Sequence, residues 1–221
     1  MSQVVMQAEF SDKAKATRKR ILDAAIQVFA RKGFHDTRVD EIVKESGSSK
    51  GAVYFYFPGK QQIFLALVDE FADLLQRRLT NAVDAEKGGV RKVNAALRIC
   101  LETFGRYRGL AKIFLIQAVG LGTVFEEKRL EIHERFVRLI KSYLDQAVND
   151  GEIPDIDTEV VAYAWMGAIN EVVIRWVHTG EPEPERVLLT LRGMLLRGIG
   201  VPESDIADLE ITRIEIIEKS T

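Results

Sequence analysis

Two stretches organise the chain: Gly33-Phe34-His35-Asp36-Thr37-Arg38-Val39-Asp40-Glu41-Ile42 and, four residues on, Gly47-Ser48-Ser49-Lys50-Gly51-Ala52-Val53-Tyr54-Phe55-Tyr56-Phe57-Pro58-Gly59-Lys60. Gly33 stops a first helix, whose face is drawn by Ile21, Ala25, Val28 and Phe29 at i, i+4, i+7, i+8 spacing. Thr37 and Asp40 have the spacing of a capping box, with Asp in place of the usual Glu or Gln, and open a short second helix striped by Val39, Ile42 and Val43. Gly47 breaks the chain. Ser49 can cap a third helix over 50–57, with Val53 and Phe57 facing inward, and Pro58-Gly59 ends it. Two short helices around a tight turn form the helix-turn-helix pattern, in which the second helix lies in the major groove of DNA. Many helical hairpins share that outline, so the composition of the third helix has to discriminate.

Its first turn carries Lys50, Gly51 and Ala52: one long cation beside an absent and a small side chain. That composition lets backbone approach a duplex while Lys50 reaches a guanine edge or a phosphate. Tyr54, Phe55 and Tyr56 follow, and at 100° per residue three consecutive aromatics on a short helix cannot all face one core. Tyrosine hydroxyls at such a boundary can donate to phosphate. Lys60 opens a fourth helix, where a cation opposes the helix dipole; a phosphate would give it a reason to be there, and a solvated lysine is the plain alternative.

Working outward, 221 residues with 47% hydrophobic and 29% charged side chains suit a folded chain with a real core. The net charge of −2 hides an asymmetry: residues 1–60 hold 11 Lys/Arg against 7 Asp/Glu, a balance of +4, which leaves −6 for the rest. A basic end on an acidic body suggests an anionic partner for that end, or simply a solvated basic face. Lys13, Lys15, Arg18, Lys19 and Arg20 lie on the first helix, which Ser11 is expected to cap near Asp12. The lone Cys100 excludes an intrachain disulfide and sits in an apolar stripe with Val93, Leu97, Leu101 and Phe104, as an inert core thiol does. The start of the chain lacks a signal-peptide pattern, and the longest apolar runs fall short of the ~20 residues of a membrane span, so no membrane partner is expected.

The two stretches, together with their surroundings over residues 14–68, resemble the TetR family of transcriptional repressors. The turn, the Tyr-x-Tyr-Phe stretch and the following Lys occur together, which makes the motif specific. The resemblance implies an all-α protein with an N-terminal three-helix helix-turn-helix DNA-binding domain and a larger C-terminal helical domain for ligand binding and dimerisation. It puts Thr37 and Arg38 at the backbone-contacting start of the second helix. Ser49 opens the recognition helix; Lys50, Gly51, Ala52 and Phe55 take base- or groove-facing positions, and Tyr54, Tyr56 and Lys60 take phosphate contacts. Arg38 and Phe55 depart from the small hydroxyl and the His more often found there, and Asp40 is acidic where many members are neutral or basic. Those departures bear on which operator is read.

The expected domains are 1–60, 61–200 and a tail at 201–221, with Glu86-Lys87-Gly88-Gly89 as the clearest internal linker. Helices are expected at 60–85, 90–105, 109–119, 124–149, 158–179 and 184–199. Val161, Ala164, Ala168, Val172 and Trp176 make one apolar stripe; Val187, Leu188, Leu191, Leu195 and Ile199 make another. Two such helices from each of two chains would close a four-helix bundle, as the family does, and a homodimer would match a palindromic double-stranded DNA operator. Aromatics mixed with single polar groups mark a candidate pocket for a small hydrophobic ligand: Phe104, Tyr107, Phe114, Gln117, Phe125, Trp165 and Asn170. Gly151-Glu152-Ile153 and the run 168–177 are similar to the acyl-CoA-responsive branch that controls fatty-acid degradation. If that likeness holds, Arg106, Arg108 or Lys112 would meet the nucleotide phosphates. No phosphate loop, nucleophile elbow or metal-spaced histidine set is present, so neither an enzyme, a cofactor nor a metal is expected. The expected function is a cytoplasmic, inducer-released repressor. The rival is a helical lipid or acyl-CoA carrier whose N-terminal module binds protein.

Overall fold

A computed structural model of the chain describes residues 3–117, 121–207 and 209, with side chains from residue 12 onward. All regular structure among them is helical: α1 Gln3–Lys32, α2 Val39–Ser46, α3 Lys50–Tyr56, α4 Lys60–Asp84, α5 Gly89–Arg106, α6 Arg108–Lys112, a π-helical turn Ile113–Gln117, α7 Thr123–Asn149, α8 Thr158–Thr179, α9 Pro184–Gly198 and α10 Glu203–Ala207. The expected helix at 109–119 is therefore split in two, and its last residues, with Gly120, lie outside the described residues. The tail splits likewise: Val201, Ile206 and Leu209 are buried in the body, and 210–221 lie outside the described residues.

Local chemistry sets most boundaries. Gly47 ends α2 in the left-handed conformation at φ +60°, which a side chain would strain. Ser49 Oγ accepts the Ala52 N–H at 3.1 Å, the cap expected of it. Two expected caps are corrected. Ser11 is not a start signal, because α1 already runs from Gln3 and nothing in residues 3–10 breaks a helix. The box on α2 is one residue later than Thr37/Asp40. Arg38 occupies the cap position, and its backbone N–H donates to Glu41 Oε2 at 3.0 Å. Thr37 is buried, and its hydroxyl donates backwards to the Gly33 carbonyl at 2.6 Å.

α1, α2 and α3 pack around Ile21, Ala25, Phe29, Ile42, Val53 and Phe57, closed by Ile63 and Phe64 of α4. A knot of rings joins this head to the body. Phe64 meets Phe29, Phe34 and Phe125 edge-on, with ring centres 5.3, 5.2 and 5.4 Å apart, and Phe34 meets Phe125 at 5.1 Å. The body packs α4 on α5, α7 on α8 and α5 on α9.

The two C-terminal stripes do not both point outward. Val187, Leu188, Leu191, Leu195 and Ile199 are buried in their own chain, as is Trp176, while Ala164 is exposed and Val161, Ala168 and Val172 are half-buried. The α9 stripe belongs to the core because α5 lies against it. A different apolar surface is left open: Val160 (62% exposed) and Tyr163 on α8, with Leu189 and Met194 on α9. α8 is long and apolar enough by composition to cross a bilayer, which the run-length reading missed. Its Ala162, Trp165, Val173, Trp176 and Val177 are instead buried in the body.

Candidate functional site

α3 is seven residues long and anchored by Val53 and Phe57, both buried. Arg18 of α1 lies 5.4 Å over the Phe57 ring and is ion-paired with Glu70, which ties the recognition helix to α1 and α4. With 53 and 57 facing inward, positions 50, 51, 54 and 55 share the open side. Phe55 is 82% exposed and stands edge-on to Tyr56 at 5.1 Å, and Tyr54 is exposed. A Cβ added to Gly51 would meet nothing within 4 Å, so backbone is accessible there, while Ala52 and Tyr56 are half-buried. An 82% exposed Phe on a helix already anchored by two other side chains has no role in the fold.

Lys50 shares that side but is not free. Its ammonium lies 2.8 Å from Asp40 of α2, and that hydrogen bond raises its pKa above the ordinary lysine value. Any phosphate must compete with this carboxylate. Asp40→Asn is therefore expected to tighten binding to duplex DNA severalfold near 0.1 M salt, with the gain shrinking as salt rises. Fluorescence anisotropy over a salt series checks this; weaker binding would mean that Asp40 accepts from a base donor such as the cytosine amino group.

Two sequence-predicted contacts are relocated. Thr37 is sealed and has spent its hydroxyl on Gly33, so it has no side-chain donor to give DNA. Lys60 donates to the carbonyls of Phe34 (2.8 Å), His35 (2.8 Å) and Thr37 (3.0 Å), with its ammonium 4.6 Å over the Phe34 ring. All three donors of the ammonium are used at the corner between α1 and α2, which explains a lysine set against the dipole of α4 without a phosphate. Arg38 remains exposed at the start of α2.

The body encloses an apolar cavity of about 140 Å³ between α4, α5, α7, α8 and α9. Leu79, Phe104, Phe136, Trp165, Ile169 and Leu195 represent its walls. A water-sized group needs roughly 10–15 Å³ of such space, so there is room for about ten such groups. Of the expected pocket residues, Phe104, Phe114, Trp165 and Asn170 line it and three do not. Phe125 is committed to the ring knot. Gln117 donates from Nε2 to the Phe29 carbonyl at 3.2 Å and so joins the π turn to α1. Tyr107 sits at the break between α5 and α6, under Arg106. Leu75, Leu79, Leu139, Ile140 and Leu195 were missed, because in sequence a cavity wall has the same stripe as a filled core. Cys100 also lines the cavity, and burial pushes its thiol up to about 12, so it stays protonated. The polar side chains of the wall include Lys92, which donates to Gln146 at 3.3 Å, and Glu152, which accepts the Gly89 N–H. Arg108 donates from Nε and Nη2 to the Val177 and Trp176 carbonyls at the end of α8.

Comparison with known proteins completes the picture. Residues 21–67 match the bacterial regulatory proteins of the tetR family, and residues 86–199 match the tetracyclin repressor-like C-terminal domain. The chain belongs to the TetR family. This TetR-family transcriptional regulator is 28% identical over 193 residues to the uncharacterised HTH-type transcriptional regulator YdgC of Bacillus subtilis (strain 168), covering 84% of this chain and 96% of that protein. It is 24% identical over 159 residues to the fatty acid metabolism regulator protein of the same organism, covering 72% and 82%. Its fold is that of the fatty acid degradation regulator FadR from Bacillus halodurans (TM-score 0.77, 21% identity, 84% of this chain and 97% of that one). The FadR of Bacillus subtilis, solved in complex with stearoyl-CoA, superposes with a TM-score of 0.74 at 21% identity, covering 82% and 98%.

Proposed function

We propose that this regulator is a homodimeric repressor that binds a palindromic operator and is released by a small hydrophobic inducer of the fatty-acyl class, long-chain acyl-CoA being the first compound to titrate. The observation that carries the reading is the pairing of an open aromatic and cationic strip on α3 with an apolar cavity walled in part by α4, the helix that also closes the head. The stearoyl-CoA complex of a relative with the same fold supports the ligand class. The open apolar face of α8 and α9 supports the dimer: Val160, Leu189 and Met194 are exposed in a single chain, beside a Tyr163 whose ring is partly open although its hydroxyl donates to Glu134, and a two-fold pair would cover them. Such a pair would set two α3 helices on half-sites one helical turn apart. The working compartment is the cytoplasm, where bacterial DNA lies. A lipid carrier would have the cavity but would leave Phe55 unexplained.

Sites selected from random DNA provide the test. Long-chain acyl-CoA is expected to release the selected duplex in a gel-shift titration, and absence of release across the series removes acyl-CoA as the inducer. Phe55 is read as an apolar contact to a thymine methyl. Replacing thymine by uracil, base by base in the selected site, is expected to reproduce the loss seen with Phe55→Ala at one position per half-site, about tenfold, and to add nothing to that variant. Phe55→Ala should leave the melting temperature unchanged, because the side chain touches little else.

A further inference from the structure

The positive charge of the head is less available than its sum suggests. Among the described residues Lys15, Arg18, Lys19, Arg31, Lys32 and Lys50 each meet a carboxylate, and Lys60 is held by three carbonyls. Thr37 and Lys60 are thereby withdrawn from the DNA backbone, yet a helix that enters a major groove needs cations and hydroxyls on the strands beside it. Four head cations have no carboxylate at ion-pair distance among the described residues: Lys13, Arg20, Arg38 and Lys44.

Arg20 is the one tied to the opening of the recognition helix. From the exposed side of α1 its Nη2 donates to Ser48 Oγ at 3.4 Å, and Ser48 lies directly before Ser49, the cap of α3. The turn that carries Ser48 is fixed: Ser46 Oγ donates to the Val43 carbonyl at 3.1 Å and accepts the Ser48 N–H at 3.3 Å. The Ser48 hydroxyl accepts from Arg20 and donates to nothing among the described residues, while Arg20 has used one of its five N–H donors. A guanidinium and a hydroxyl this close, both with donors to spare, match two oxygens of one phosphate. The acid one turn on from Arg20, Asp23, is held by Lys19 at 2.6 Å, so no carboxylate competes here as Asp40 does at Lys50.

We infer that Arg20 and Ser48 grip one backbone phosphate of the operator, beside the groove that α3 enters. This rests on the reading of the open side of α3 as the DNA face, and it adds the contact that seats α3 there whatever the base sequence. Duplex DNA is the occupant because the pair stands at the mouth of the helix whose Lys50, Gly51, Tyr54 and Phe55 form that side. The long Arg20–Ser48 hydrogen bond is weak and exposed, so a phosphate that accepts from both groups displaces little.

Anisotropy of the selected duplex with the full chain, over a salt series, tests the grip. Arg20→Gln is expected to lower the slope of log K against log salt by about 0.9 for each subunit bound, roughly an eightfold loss per subunit at 0.1 M salt. The loss should be the same for every sequence, and the variant should melt with wild type, since Arg20 is exposed. Ser48→Ala removes a neutral donor and should weaken binding about threefold with the slope unchanged. A methylphosphonate moved along the backbone should reproduce the Arg20→Gln loss at one position per half-site and add nothing to that variant. Lys19→Gln removes a neighbouring charge already paired with Asp23 and should leave the slope as it is. An unchanged slope in Arg20→Gln overturns the grip. So does an equal fall in Lys19→Gln, which would make the effect one of diffuse charge, and so does a relaxed preference at one base with no sensitive phosphate, which would put Arg20 on a base edge. In those three outcomes α3 keeps its place in the groove. Wild type that binds no duplex in a salt-sensitive way overturns the DNA face of α3 and the grip with it.

Discussion

Phe64→Ala is expected to lower the melting temperature by about 12 °C, the largest effect of any single substitution in the head. The ring is fully buried and meets three others, from α1, from the corner before α2 and from α7. Truncating a buried Phe costs about 4 kcal/mol when the surroundings cannot collapse, and for a chain of this size each kcal/mol is worth about 3 °C. Collapse is hindered here because the neighbours belong to separate helices. The same substitution removes the shared partner of Phe34 and Phe125, so DNA affinity should fall even below the melting temperature. Phe64→Leu, which retains most of the volume, should recover much of both. A shift under about 4 °C would mean that the knot repacks and does not hold head to body.

Lys60→Met is expected to cost about 2.5 kcal/mol, near 8 °C in melting temperature, with the aliphatic stem preserved. The loss comes from the Phe34, His35 and Thr37 carbonyls, which share one donor. His35 is exposed and can turn to water, which keeps the figure below three full hydrogen bonds. The decisive measurement is the salt dependence of DNA binding. If Lys60 held a phosphate, the slope of log K against log salt would fall by about 0.9. An unchanged slope with reduced stability identifies a corner clasp, and a reduced slope with unchanged stability would restore the phosphate contact.

These two residues also mark where sequence reading succeeds and where it stops. The helices were legible because their signals are local: Ser49 caps, Gly47 turns, and Val53 and Phe57 fall one turn apart on the inner side. The odd exposure of Phe55 followed from the same geometry. The cap of α2 was misread because Thr37/Asp40 and Arg38/Glu41 offer the same spacing one residue apart. Only the burial of Thr37, a tertiary fact, chooses between them. Lys60 was recognised as anomalous, but its partners lie more than twenty residues away in sequence. The α9 stripe looked like a dimer surface because periodicity says that a face is apolar and not what covers it. Phe125, Gln117 and Tyr107 failed as cavity residues for a related reason: composition marks the body but cannot separate its hollow from its joints.

The length of α4 has a mechanical consequence. Its 25 residues form a rod of about 37 Å. At one end Leu75, Leu79 and Val83 face the hollow; at the other, the clasp and the ring knot make rod and head a single rigid piece. Rotating the rod by about 5° around its inner end sweeps its tip through about 3 Å. In a mirror-moving pair the gap between tips would change by about 6 Å, a sizeable fraction of a 34 Å DNA turn. A wedge no thicker than one methylene, inserted at the short arm, is thereby geared up to the scale of a groove.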